Sequence, residues 1–191
     1  MKRILLIDDE PHVLSAIKRL LRASFGTRIA VEVFSQPELA LRRVHEAAFD
    51  VVMSDYRMPE MSGIDVLRHV RQVQPHAVRM ILSATSDFAI IQQAINEVEV
   101  YRFLAKPWND DELMRHIQGA MTRADEAKIE RGLADAMRLQ QGDLSATDHE
   151  ARRLEEMEPG ITKVEWGPHG EVLMPDLIET IVMPTPPPED P

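Results

Sequence analysis

The chain has 191 residues, 44% of them hydrophobic, enough for one packed domain with an appendage or for two small domains. It has no cysteine, which excludes disulfides and thiolate metal sites. Its net charge of −10 lies wholly in residues 125–191, which carry 6 Lys+Arg and 16 Asp+Glu, while residues 1–124 carry 16 of each; so acidic an extension argues against a nucleic-acid partner.

The first predicted element is a strand over 3–7, apolar throughout, as in a strand buried on both faces. It runs straight into Asp8, Asp9 and Glu10. Like charges so close repel one another and resist desolvation, so the cluster needs a cation or a fixed lysine. Pro11 then opens a helix, with Val13, Ile17, Leu20 and Leu21 at helical spacing. A second strand covers 28–34 and a helix 37–48. The third strand, 49–55, is again apolar and again ends in an acid, Asp55. A helix over 62–73 presents Ile64, Leu67, Val70 and Val73 on one side. A strand over 78–84, a helix over 87–98 and a strand over 100–107 follow. A long helix begins at Asn109, its N-cap, with acids in the first turn.

Five strand–helix pairs in strict alternation imply an α/β fold: a doubly wound, five-stranded parallel sheet with helices on both faces. Ligands of such sheets bind beyond the carboxyl ends of the strands. Those ends carry Asp8 and Asp9, Asp55, Ser83 and Lys106, all polar and all able to act on a phosphoryl group. No apolar stretch approaches the roughly 20 residues needed to span a bilayer, and the first apolar run is too short for a signal peptide, so a soluble, cytoplasmic protein with no membrane partner is expected.

The motifs "IDDEP", "SDYRMPEMSG", "LSAT" and "FLAKPW" occur in order at these strand ends. Together they resemble the receiver domain of two-component response regulators, over residues 1–124. The segment "NEVEVYRFLAKPWNDDEL" is most similar to receivers joined to cyclic-di-GMP phosphodiesterases of the HD-GYP type or to sigma-54 activators. The resemblance implies a flavodoxin-like receiver fold and a phosphoryl-accepting Asp55, supplied by a sensor histidine kinase or a phosphotransfer protein. It implies Mg2+, with Asp9 and Asp55 as direct ligands, Asp8 as a ligand through water and the Arg57 backbone carbonyl as a third protein ligand. Lys106 and Ser83 are the expected partners of phosphoryl oxygens, and Ser83 and Phe103 the expected switch pair. Arg57 and Thr85 flank the group and would tune its hydrolysis. Glu10 is expected to stay solvated beside the site.

The last helix, 109–141, is longer than a receiver needs. Leu113, Ile117, Ala120 and Ala124 should pack on the sheet. Ile129, Leu133, Ala136 and Gln140, flanked by Met137, continue a stripe that needs a cover. Two covers are available: a second subunit, giving a homodimer along this helix, or the chain's own C-terminal segment. The expected organisation is a receiver, 1–124, a helical extension, 125–142, a small helix-and-hairpin segment, 143–183, and a Pro-rich tail, 184–191. Thr147 and Glu150 suggest a capping box for a helix over 148–157, and 161–174 a hairpin around Gly-Pro-His-Gly. The acidic face of Glu155, Glu156 and Glu158 is a candidate docking surface. No enzyme motif occurs in the extension. Its expected role is output through an unknown protein partner; the alternative is a phosphate sink or an enzyme regulator linked to cyclic-di-GMP signalling.

Overall fold

The computed structural model describes residues 1–84, 98–157, 159, 165–166 and 172–173. The expected helix 87–98, with Thr85 before it, lies almost wholly outside these residues, as does the Pro-rich tail. Five strands, β1 (Lys2–Ile7), β2 (Ile29–Phe34), β3 (Val51–Asp55), β4 (Val78–Ser83) and β5 (Arg102–Ala105), form one sheet in the order β2-β1-β3-β4-β5. Every pairing is parallel. The strands are shorter than expected at several ends. In particular, Gly26–Arg28 is a 3-10 turn that delays β2 until Ile29.

Alternation along the strands splits the core in two. Ile4, Leu6, Val51, Met53, Met80, Leu82 and Leu104 join the cluster of α1 (Pro11–Phe25) and the upper half of α4 (Asp110–Gln141). Leu5, Ile7, Val52 and Ile81 join that of α2 (Pro37–Glu46) and α3 (Gly63–Val73). A strand with helices on both faces is apolar on both, which is why Ile4–Ile7 of β1 and Met80–Leu82 of β4 read as unbroken apolar runs. The N-caps agree with this reading. Pro11 and Pro37 open α1 and α2, Ser62 Oγ accepts from the Asp65 N–H, and Asn109 caps α4 through the Glu112 N–H.

Helix α4 has 32 residues. It ends at Gly142, whose left-handed conformation (φ 79°) lets the next N–H groups turn back onto the Arg138 carbonyl. Leu113, Ile117, Ala120 and Ala124 are buried as expected. Helix α5 (Ala146–Met157) starts two residues earlier than expected: its cap is Ser145, which accepts from the Asp148 N–H at 3.0 Å, not Thr147 with Glu150. Ser145 wins because Leu144 before it is buried, as a hydrophobic residue preceding an N-cap should be.

Helix α5 does not cover the stripe on α4. It is tied to another face, through Arg152 to Asp135 at 3.2 Å. Ile129, Leu133 and Met137 remain 60–64% exposed, so a folded-back cover by this helix is ruled out. The expected hairpin is present as a two-stranded antiparallel pair, β6 (Glu165–Trp166) and β7 (Val172–Leu173). Glu155 is half-buried and engaged rather than free, while the Glu156 side chain and Glu158 fall outside the described residues. No helix among the described residues is long and apolar enough to cross a membrane.

Candidate functional site at the carboxyl edge of the sheet

Strand parity brings the acids together. Asp8 continues the face of Ile4 and Leu6, Asp55 that of Val51 and Met53, and Lys106 that of Leu104. β1 and β3 are neighbours at the point where the chain order reverses, so Asp8 and Asp55 meet at the topological switch point. Asp8, Asp9 and Asp55 each place a carboxylate oxygen within 4.8 Å of the others. Asp8 and Asp55 are buried; Asp9 reaches solvent.

Lys106 answers the charge. Its Nζ lies 2.8 Å from Asp8 Oδ2, 3.2 Å from Asp55 Oδ1 and 3.2 Å from Glu10 Oε1. Burial opposes its charge, but its pKa is raised because Asp8, Asp55 and Glu10 surround it. Glu10 stands beside the site with its side chain 46% exposed and reaches Lys106 from there, and its N–H donates to Asp8 Oδ1 at 3.0 Å. One lysine does not satisfy three acids. Burial raises the pKa of Asp8 above the ordinary carboxylate range even against Lys106. Burial does the same for Asp55, where the Asp8 charge adds to it and Lys106 opposes.

Asp8 Oδ2 shows what is missing. It is buried and has Lys106 close by, yet the ammonium is not aligned to donate, so this oxygen accepts no hydrogen bond. Buried polar atoms without a donor are uncommon and call for a reason. An anionic pocket of hard oxygen donors with one oxygen unsatisfied fits a small hard dication such as Mg2+.

The backbone around Asp55 is held closely. Tyr56 N–H donates to the Leu82 carbonyl and Gly63 N–H to the Tyr56 carbonyl, both at 2.9 Å. Gly63 presses on Asp55: a Cβ there would stand 2.0 Å from the Asp55 carbonyl oxygen. This constraint is written in "MSG" but is visible only once α3 is docked. Ser83 is buried at the end of β4, and its carbonyl accepts the Lys106 N–H at 2.8 Å, which fixes the lysine's backbone. The Lys106–Pro107 peptide is cis. Ser83 and Phe103 have the opposite strand parity from Lys106; Phe103 is half-buried against the α2–α3 cluster. Arg57 is exposed in the loop after β3.

The family model of the response regulator receiver domain matches residues 4–118. The chain is 32% identical over 118 residues to the hydrogenase transcriptional regulatory protein HoxA of Bradyrhizobium diazoefficiens, covering 62% of this chain and 24% of HoxA. It is 33% identical over 125 residues to the response regulator protein TodT of Pseudomonas putida, covering 65% of this chain and 53% of TodT. The chain therefore spans about half or less of these curated relatives. Among solved structures, the signal receiver domain of an HD domain-containing protein from Pseudomonas fluorescens Pf-5 superposes with a TM-score of 0.61 at 30% identity, over 65% of this chain and 98% of that one. A response regulator receiver domain from Clostridium thermocellum gives 0.59 at 33% identity, over 65% and 98%. Strand order, acid placement and sequence agree, and the chain belongs to the response regulator receiver domain family.

Proposed function

We propose that this chain is a phosphoryl-accepting switch of a two-component relay, charged on Asp55 by a histidine kinase or a phosphotransfer protein. The observation that carries this reading is the Lys106 ammonium held between Asp8 and the buried Asp55 carboxylate. An Asp55 oxygen attacks phosphorus, the O–P bond of an acyl phosphate forms, and the P–N bond to the donor imidazole breaks. Lys106 is placed to follow the negative charge as it moves to the phosphoryl oxygens. Ser83 would donate its hydroxyl to one of them and Phe103 would turn inward with it. Asp8, Asp9, Asp55 and the Arg57 carbonyl would hold Mg2+. When bound, this ion supplies the charge that lets two anions meet.

The output reading is protein docking through residues 125–183, since 6 cations against 16 acids beyond residue 124 suit a protein surface better than nucleic acid. No separate catalytic role is assigned to 143–183. The exposed stripe Ile129, Leu133, Met137 favours a second copy of this chain along α4, because the chain's own α5 leaves it open. A second reading, regulation of a cyclic-di-GMP enzyme, draws on the likeness to the receiver of an HD domain-containing protein. Acetyl phosphate should place one phosphoryl group on the protein, in a magnesium-dependent reaction that Asp55→Asn abolishes. Labelling that survives in Asp55→Asn would show that the nucleophile lies elsewhere.

A further inference from the structure

A cavity lies at the end of the sheet away from Asp55. It is a cleft of about 900 Å³ between the amino ends of the central strands, the lower half of α4 and α5. That is the size of a site for a small organic ligand. Its sheet side is apolar, with Phe49, Val73, Pro75 and Ala77. Its helical wall is basic: Lys128, Arg131 and Arg138 from α4 and Arg152 from α5.

Residues 125–191 have only six cations among sixteen acids, and four of the six line this one cleft. Closure of α5 onto α4 accounts for part of this. Arg138 and Arg152 lie 3.6 and 3.2 Å from Asp135, two guanidinium groups sharing one carboxylate. It does not account for Lys128, which is exposed and has no ion-pair partner among the described residues. Nor is Asp50 at the rim spare, since it accepts from Lys2 Nζ at 2.8 Å and the Arg3 N–H at 2.7 Å. The helical wall's own acids, Asp135 and Glu155, match two of its four cations, so it carries more positive charge than they neutralise. The loop beneath it is firmly held: the Gln74 side chain accepts from Phe49 N–H and donates to the Val44 and Ala47 carbonyls.

We propose that this cleft binds a phosphorylated organic molecule of nucleotide size, its phosphoryl groups on Lys128 and the arginines and its body on the apolar side. Arginine forks match phosphoryl oxygens in pairs, and a lysine adds a mobile point charge. The proposal is independent of the chemistry at Asp55.

The test is NMR titration of the full chain, without magnesium, using ATP as a probe with both body and charge. Adenosine is the body alone and pyrophosphate the charge alone. ATP should shift the amides of Gln74, His76, Ala77 and residues 128–138, and Lys128→Glu or Arg152→Glu should weaken it about tenfold or more. Both halves should bind at least about tenfold more weakly than ATP. Asp55 phosphorylation in each variant reports that it is folded. The proposal is overturned if millimolar ATP leaves these amides unmoved, as it would were the cleft already filled by the chain's own acidic tail. Pyrophosphate binding as tightly as ATP, or both charge reversals binding ATP like the wild type, would overturn it too.

Discussion

Gly63→Ala is a one-methyl probe of how the phosphosite is held. The new Cβ would stand 2.0 Å from the Asp55 carbonyl oxygen, 2.9 Å from its carbon and 3.1 Å from Ser54 Oγ. Contacts of a Cβ under 3.0 Å are essentially never seen, so backbone must part by about 1 Å. Neither side can yield cheaply. Asp55 closes β3, paired with Leu82 of β4, and Gly63 begins α3 with its N–H on the Tyr56 carbonyl. Overpacking of this kind costs about 1–3 kcal/mol. The kinetic cost should be larger in proportion, because misplacing a reacting group by about 1 Å can cost about 100-fold. Urea denaturation should show the first effect and the rate of phosphorylation by acetyl phosphate the second. Gly132→Ala is the control, since nothing lies within 4 Å of a Cβ there; it should stabilise α4 by about 0.5–1 kcal/mol and leave the rate alone. A Gly63→Ala protein with wild-type stability and rate would refute the claim that this contact positions Asp55.

Further outcomes are expected from the same structure. Leu133→Glu should give a monomer in sedimentation with Asp55 phosphorylation intact; a wild type that is monomeric at high concentration would sink the dimer. Magnesium should raise the melting temperature, following its affinity for the folded state, and Asp8→Ala should remove most of the rise; an equal rise in both proteins would place the ion elsewhere. In metal-free protein, Asp55→Asn should stabilise the fold at neutral pH, because burial makes the Asp55 charge unfavourable; a loss of stability would contradict this. His69 meets His45 at 2.9 Å between Nε2 atoms, and burial, then the His45 charge, lowers its pKa. The folded state thus binds fewer protons than the unfolded one, so stability should fall as pH drops below about 6.5, the unfolded histidine value. His69→Asn should flatten that slope in denaturation measured across pH; an unchanged slope would assign it to other groups.

The fold was legible because its strands lie between two layers of helices, so burial on both faces left apolar runs with abrupt polar ends. The acids and Lys106 were legible for the same reason, since each sits just past such a run. What escaped was set by packing across the sequence. Gly63 matters through a contact with Asp55, and the contact of Glu10 with Lys106 shows only in the fold. Gln74 and the buried Arg79, whose guanidinium donates to the Pro75, Ala77 and Val98 carbonyls, look like surface polar residues until the loops close around them. Ser145 and Thr147 both begin an acceptable capping pattern, and only the burial of Leu144 chooses between them.

Helix α4 begins four residues after Lys106 and, at 32 residues, runs about 48 Å in one piece. Its first half, through Ala124, is buried on the sheet and its far half extends past it bearing α5, so a tilt near the phosphosite would make it a lever arm. A tilt of about 5° at the Asn109 end would carry Gln141 about 4 Å sideways, given that length. A rearrangement too small to see beside Asp55 would then arrive at the far end as a displacement the width of a strand spacing. The extra turns of the helix are, in mechanical terms, gain.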